Sequence, residues 1–194
     1  MGKIYCLMGK SASGKDTVYR KILERLPELG TYVMYTTRPM REGEIPGQTY
    51  HYIQAEELDA LSRQGKVIES RTYSTVYGPW TYATVDDGQF DLESGDYLVP
   101  GTPESFVRLK AYFGADRVVP LLLEVEDGER LLRAVRREQR EARPKYEELC
   151  RRFLADAADF SEEKLREAGI SRRFVNEDPD RCAAEIAEEI RAGG

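Results

Sequence analysis

Residues 9–15, GKSASGK, place two glycines and a lysine at a spacing that suits phosphate binding. In the pattern GxxxxGK, the glycines let backbone N–H groups curl around phosphate oxygens, and the lysine reaches the β- and γ-phosphates. The segment follows an apolar run at residues 4–8 and precedes a helical pattern, which is the context that the motif needs. We predict that it binds ATP through Gly9, Ser11, Ala12, Ser13, Gly14, Lys15 and Thr17. A glycine turn that only caps a helix is the alternative.

Asp16 occupies the position where this motif usually has a serine or threonine. That hydroxyl normally ligates Mg²⁺, and a carboxylate is also a good magnesium ligand, directly or through a water. A carboxylate adds negative charge beside the triphosphate, which weakens nucleotide binding unless a metal neutralises it. We predict that Asp16 binds the Mg²⁺ of ATP. The alternative is a first-turn carboxylate that the helix dipole stabilises.

A second set of chemical groups lies in the segment 36–50, TTRPMREGEIPGQTY, which is rich in Gly and Pro. Arg38 and Arg41 are three residues apart, so both guanidinium groups can bind one phosphate dianion. The hydroxyls of Tyr50 and Tyr77 can complete the hydrogen-bond shell of that phosphate. The alternative is that two arginines in a surface loop only add solubility.

This segment resembles the acceptor loop of the guanylate kinases, a family of P-loop nucleoside monophosphate kinases. The loop of that family has the form S-x-TTR-x-x-R-x-GE-x-x-G-x-x-Y. The matching residues here are Thr36, Thr37, Arg38, Arg41, Gly43, Glu44, Gly47 and Tyr50. Further similarities are Glu69, Tyr77-Gly78 in place of YYG, and NEDPD from Asn176 near the adenine loop. Together with residues 9–15, they span nearly the whole chain in the family's order.

The resemblance implies ATP-dependent phosphoryl transfer, most directly from ATP to GMP or dGMP, with ATP and Mg²⁺ as cofactors. It assigns acceptor binding to Thr37, Arg38, Arg41, Tyr50, Glu69 and Tyr77, and ATP binding to Asn176. Glu69 would accept the N1–H and exocyclic amine of guanine; a surface acid at a strand edge is the alternative. Met34, Pro79 and the GTPE stretch around residues 102–104 depart from the family's other guanine contacts. Tyr35, Met34 and Trp80 could therefore stack on a different base.

Arginines recur every three or four residues in ERLLRAVRREQREARPK, at positions 130, 133, 137 and 140, so they share one helix face. In the guanylate kinases that this chain resembles, the corresponding segment forms the lid. The resemblance implies that Arg133 binds ATP and that Arg137 and Arg152 stabilise the transition state, together with Lys15 and Arg38. Such chemistry needs positioning and charge neutralisation, and no general base. A solvated helix face is the alternative.

The elements that position these groups alternate between apolar runs and helical patterns. Strands are predicted at residues 4–8, 32–36, 66–73, 96–99, 117–125 and 173–175, and helices from the phosphate loop to Pro27 and at 56–64, 103–113, 129–142, 146–159 and 181–191. In helix 146–159, Leu149, Phe153 and Leu154 should face inward. Residues 36–53 and 76–89 are predicted to be irregular.

This order predicts an α/β fold of the P-loop NTPase type, a mostly parallel sheet flanked by helices with acceptor-binding and lid excursions. We expect one domain, 1–194, with a core at 1–36, 88–127 and 149–194, an acceptor-binding excursion at 37–87 and a lid at 128–148.

Composition limits the classes of binding partner and the cellular compartment that we expect for this protein. The formal net charge of −6 disfavours binding to nucleic acid or to anionic lipid. No stretch approaches membrane length, and the first apolar run is too short for a signal peptide. Three cysteines without metal-site spacing indicate reduced thiols. We expect a cytoplasmic monomer or homodimer that binds small-molecule nucleotides.

Two other functions stay open: a P-loop kinase of another phosphorylated acceptor, such as ribose bisphosphate, and a non-catalytic guanylate-kinase-like module that binds a phosphorylated ligand. Lys15 and the intact glycines argue against the module, which needs no triphosphate site. Tyr50, Tyr77 and Glu69 suit a nucleotide better than a bare sugar.

Overall fold

The computed structural model describes residues 2–41, 43–75 and 78–193. The strands are β1 (Ile4–Gly9), β2 (Gly30–Thr31), β3 (Tyr35–Thr36), β4 (His51–Tyr52), β5 (Val67–Thr75), β6 (Gly78–Val85), β7 (Tyr97–Gly101), β8 (Val118–Glu124) and β9 (Arg173–Val175). The helices are α1 (Lys15–Arg25), α2 (Ala55–Arg63), α3 (Pro103–Phe113), α4 (Asp127–Glu138), α5 (Tyr146–Asp159), α6 (Glu162–Ala168) and α7 (Pro179–Arg191).

A five-stranded parallel sheet with the order β2-β7-β1-β8-β9 forms the core. Central strand β1 is fully buried from Ile4 to Met8, which explains its continuous apolar sequence. Tyr5 and Leu7 face α1 and α7, whereas Cys6 and Met8 pack with residues of α3 and α6 on the opposite side. Helices therefore cover both faces of the sheet, and the predicted α/β fold is confirmed.

A second sheet, with the order β4-β3-β6-β5, rises from residues between β2 and β7. β6 pairs antiparallel with both β3 and β5. Leu58 on α2 packs against Ala83 and Val85 of β6 and gives this sheet a small core of its own. Strands β4, β5 and β6 of this sheet lie within the predicted excursion at 37–87, whereas β3 precedes it. The domain bounds and the role of residues 128–148 stay predictions.

Two sequence predictions of strand positions were wrong. No strand spans residues 32–36: β2 ends just before them in the core sheet, and only Tyr35–Thr36 form a strand, β3 of the second sheet, because the chain leaves one sheet for the other. Between them, side chains replace a strand ladder: Gln89 accepts the N–H of Val33, and the Tyr32 hydroxyl accepts that of Val85. Residues 78–85, expected to be a loop, form β6, whose alternating aromatic and β-branched residues favour a strand.

The helical predictions agree with the structure except in α4, α5 and α6. Helix α4 ends at Glu138, four residues before the predicted end at 142. Leu154 is 69% exposed rather than inward, whereas Leu149 is buried. Helix α6 was not predicted; Ser161 begins it by accepting the N–H of Lys164, and Leu165 is buried. No helix in the described part of the chain is long and apolar enough to span a membrane.

Candidate active site

The phosphate loop joins the carboxyl end of β1 to α1, at the sheet edge where parallel α/β folds bind ligands. Ala12 and Gly14 have positive φ angles of 61° and 82°, which turn the backbone sharply before the helix. No side chain among the described residues caps α1, so its first N–H groups are left for an anion. The hydroxyl of Ser13 is buried and has no hydrogen-bond partner among the described residues. This loop therefore fits a nucleotide phosphate.

Asn176 supports the loop from the end of β9. Its Nδ2 donates to the carbonyl of Ser13 at 2.7 Å, and the side chain is almost fully buried. A Cβ on Gly14 would lie 2.7 Å from that Nδ2, so a glycine is required there by close approach as well as by φ. The structure places the amide of Asn176 beside the phosphate loop, and its predicted part in binding ATP stays a prediction.

Arg130 and Asp156 hold the other side of the loop, and the sequence prediction did not include either in the site. Ser11 donates its N–H to Asp156 Oδ2 at 2.8 Å, and its carbonyl accepts from Arg130 Nη1 at 2.9 Å. Arg130 is 1% exposed, lies 4.6 Å over the Phe153 ring, and donates from Nη2 to Asp127 at 2.8 Å. A solvated helix face is therefore the wrong interpretation at Arg130. This cluster fixes both backbone groups of Ser11 to α4 and α5.

Lys15 and Asp16 occupy the first turn of α1. Lys15 Nζ lies 3.0 Å from Asp16 Oδ1, and the Asp16 side chain is 98% exposed. Thr17 is also exposed. No group of three His, Cys, Asp or Glu side chains that could hold a metal occurs among the described residues. Mg²⁺ commonly uses one or two carboxylates, substrate phosphates and waters, so an open carboxylate beside the loop fits this ion.

Glu44 organises the predicted acceptor loop. Arg38, which is 3% exposed, donates from Nη2 to Glu44 Oε1 at 2.6 Å. Glu44 Oε2 accepts from the backbone N–H of Arg41 at 2.7 Å and from the Tyr52 hydroxyl at 2.8 Å. The hydrogen bond from Arg38, followed by that from Arg41, lowers the pKa of Glu44 to about 2. A charged Glu44 thus fixes the Arg38 guanidinium relative to the backbone of Arg41.

Arg38 is also held by its neighbours in the second sheet. Its guanidinium lies 5.5 Å from the centroid of the Tyr50 ring and 5.8 Å from that of Tyr52. Its Nη1 donates to the carbonyl of Pro39 at 2.8 Å, while its Nε has no partner within the described residues. Thr37 is not free, because its hydroxyl accepts the N–H of Thr81 at 2.9 Å. Arg38 is therefore held in one position, and its Nε–H is the hydrogen-bond donor that has no partner among the described residues.

Burial raises the pKa of Tyr50, and the negative charge of Asp16 makes a smaller contribution to that rise. The hydroxyl of Tyr50 in the acceptor loop and the carboxylate of Asp16 in the phosphate loop thus lie within electrostatic range of each other.

Comparison with known proteins identifies the family. Residues 1–86 match the family model for guanylate kinase. The guanylate kinase of Nocardia farcinica is 33% identical over 175 residues, which cover 88% of this chain and 78% of that protein. The chain belongs to the guanylate kinase family. With the guanylate kinase of Chlorobium luteolum, identity is 41% over 69 residues, 36% of this chain and 35% of that protein.

A solved structure supports the fold. The crystal structure of guanylate kinase from Anaplasma phagocytophilum superimposes with a TM-score of 0.70 and covers 99% of this chain and 86% of that one. Sequence identity in this pair is 22%, so it is the fold that the two chains share. The guanylate kinase fold therefore extends over the whole chain, beyond the residues that match the family model.

The arginines assigned to the lid differ in their positions. Arg133 donates from Nε to Glu129 at 2.8 Å and from Nη2 to the Asn176 carbonyl at 3.4 Å, beside the phosphate loop. Arg137 is exposed, and Arg152 is 58% exposed with Glu148 at 3.5 Å. The contacts found among the described residues place neither against the phosphate loop. Their catalytic roles stay predictions.

The region predicted to bind the base in this guanylate kinase family member holds an ion pair that the sequence did not predict. Glu69, whose side chain is 3% exposed, lies 3.1 Å from Arg71 Nε. Its Oε1 accepts from the Thr84 hydroxyl at 2.9 Å. The two-residue spacing of Glu69 and Arg71 on a predicted strand puts both side chains on one face and was the available signal. Tyr77 lies outside the described residues.

Proposed function

We propose that this chain transfers the γ-phosphoryl group of ATP to GMP or dGMP, forming ADP and the nucleoside diphosphate. The observation that carries the proposal is the cluster around Arg38. A nearly buried arginine, fixed by Glu44 and lying over the ring of Tyr50, which is within electrostatic range of Asp16, suits a second phosphate group near the triphosphate. Family membership supports the same activity.

The residues have distinct tasks in this reaction. Lys15 neutralises the β- and γ-phosphates, while Arg38 and Arg41 orient the α-phosphate of the acceptor for in-line attack. An oxygen of that phosphate is already ionised at neutral pH and needs no base. Arg133, Arg137 and Arg152 would neutralise the charge of the transferring group as the lid closes.

Asp16 would hold Mg²⁺, directly or through water, with Thr17 beside it. When bound, the ion neutralises charge on the β- and γ-phosphate oxygens. The carboxylate of Asp16 lies 3.0 Å from Lys15 at the start of the helix, where the phosphates of ATP would supply further ligands.

Family membership favours the nucleotide over ribose bisphosphate as the acceptor, and the loop with Lys15 disfavours a binding module without catalysis. A cytoplasmic location, the absence of a nucleic-acid partner and a monomeric or homodimeric state stay predictions.

A coupled assay of ADP formation tests the proposal. Reactions contain ATP, Mg²⁺ and one acceptor: GMP, dGMP, ribose bisphosphate or none. We expect ADP only with the purine monophosphates, and loss of activity in Lys15→Ala with an unchanged melting temperature, because Lys15 acts on the phosphates. Faster turnover with ribose bisphosphate than with GMP would replace the proposal by the sugar-kinase alternative. Turnover by Lys15→Ala within about tenfold of wild type would remove the ATP-site assignment.

A further inference from the structure

Tyr82 lies on the face of β6 that points away from the small core of the second sheet. Side chains alternate between the two faces of a strand. Ala83 and Val85 pack against α2 in that core, so Tyr82 and Thr84 project from the opposite face. Thr84 donates from its hydroxyl to Glu69, which belongs to the predicted acceptor site. Tyr82 therefore faces the acceptor site, although no local motif in the sequence points to it.

The ring of Tyr82 packs between two other tyrosine rings. Its centroid lies 5.6 Å from that of Tyr50 and 5.9 Å from that of Tyr73, with interplanar angles of 64° and 73°. Both are edge-to-face contacts, an arrangement that aromatic pairs favour. The Arg38 guanidinium lies 5.5 Å from the centroid of the Tyr50 ring. Tyr82 is thus held one ring away from the arginine that we assign to the acceptor phosphate.

The hydroxyl of Tyr82 lies at the Arg38 end of its ring. Burial lowers the pKa of Arg38, whereas its hydrogen bond with Glu44 and then the Tyr82 hydroxyl raise it, and the net shift is upward. Burial raises the pKa of Tyr50, and the charge that Tyr82 carries when it is ionised adds to that rise. These interactions act through the phenolic oxygen of Tyr82, so this oxygen shares one small region with Arg38 and the Tyr50 hydroxyl.

The tyrosines around Arg38 differ in whether they have a proton left for a ligand. Tyr52 donates its hydroxyl proton to Glu44 at 2.8 Å, so that proton is already used. A guanidinium donates and cannot accept, whereas a phenolic hydroxyl does both. Tyr82 can therefore accept from Arg38 and still donate its own proton to a bound anion.

We infer that Tyr82 binds the acceptor phosphate, donating its hydroxyl proton to one phosphate oxygen beside Arg38 and Tyr50. The inference rests on the proposed function and adds a ligand to its acceptor site, beyond the tyrosines at 50 and 77 that the resemblance assigns. A phosphate group offers three strong acceptor oxygens, which one arginine and one hydroxyl do not saturate. Tyr73, on the other edge of the Tyr82 ring, keeps that ring in place.

Isothermal titration of Tyr82→Phe with GMP and with guanosine tests this inference. The substitution removes the hydroxyl and keeps the ring, so the packing against Tyr50 and Tyr73 should remain. We expect the Kd for GMP to rise about tenfold or more, because a hydrogen bond to a charged group is lost. Guanosine has the same base and sugar without the phosphate, so its Kd should stay within about threefold of the wild-type value.

Tyr112→Phe is the matched control. The Tyr112 hydroxyl also has a partner, Asp86 at 2.7 Å, but it lies in the last turn of α3, away from Arg38. This variant should bind both ligands as wild type does. Binding of GMP by Tyr82→Phe within about threefold of wild type, or equal losses for GMP and guanosine, would overturn the inference and leave the kinase proposal standing. Failure of the wild-type protein to bind GMP would overturn both.

Discussion

Replacing Arg130 with methionine should destabilise the protein and weaken ATP binding. The substitution leaves Asp156, 17% exposed, and the Ser11 carbonyl without their buried donor. Removing one partner of a buried ion pair costs about 3–5 kcal/mol. Asp127 is 51% exposed, so solvent screens its contribution to the ion-pair energy. We therefore expect a loss of about 3 kcal/mol in the free energy of unfolding, the lower end of that range.

The melting temperature converts this energy into an observable. An unfolding entropy of about 2.1 cal/mol/K per residue gives roughly 0.4 kcal/mol/K for this chain, so about 3 kcal/mol corresponds to a fall of about 7 °C. Calorimetry measures the shift, with Arg136→Met on the exposed side of the same helix as the control. The control should move by about 1 °C at most.

Titration calorimetry with ATP and with GMP locates the effect. Because Arg130 fixes Ser11, Arg130→Met should bind ATP more weakly and GMP normally. A melting temperature within about 2 °C of wild type, or equal losses for both nucleotides, would refute the role of Arg130 as the support of the phosphate loop.

Other substitutions test the acceptor loop and the metal. Arg38→Ala should lose about 2–3 kcal/mol of acceptor-binding free energy, which raises the KM for GMP roughly 30- to 150-fold. The KM for ATP should not change. An unchanged KM for GMP would show that this loop does not bind the acceptor. Glu44→Gln should be less stable than wild type at neutral pH. Because the folded pKa is depressed, this difference should shrink as pH falls from about 4.5 to about 2, and thermal melts with a pH-independent difference would contradict the pairing with Arg38. Asp16→Ser should keep the melting temperature and change the Mg²⁺ concentration for half-maximal rate. Identical magnesium titrations would exclude Asp16 as a metal ligand.

Much of the fold follows from the sequence because local pattern and tertiary environment agree. Residues 4–8 are apolar throughout, and β1 is buried on both faces. β6 was missed because Gly78 and Pro79 indicate a turn, although the residues after them pair on both sides. Whether a segment of alternating residues is a strand depends on the partners it finds, and these come from distant parts of the chain.

The site was only partly predictable for the same reason. The phosphate loop and the Arg38 loop are local motifs, and the sequence shows them directly. The contact of Ser11 with Asp156 joins residues 145 positions apart, and no local pattern encodes it. Arg130 belongs to a run of arginines that looks uniformly solvated; its packing over Phe153 and its contact with the Ser11 carbonyl distinguish it.

In the proposed reaction, a phosphoryl group passes from ATP to a nucleoside monophosphate and not to water. Phosphorus NMR of equimolar ATP and GMP with Mg²⁺ and the purified protein follows every phosphate at once. We predict that ADP and GDP appear in equal amounts, with no inorganic phosphate, and that Lys15→Ala produces neither. Release of inorganic phosphate with GMP unchanged, or no reaction of wild-type protein, would contradict the claim.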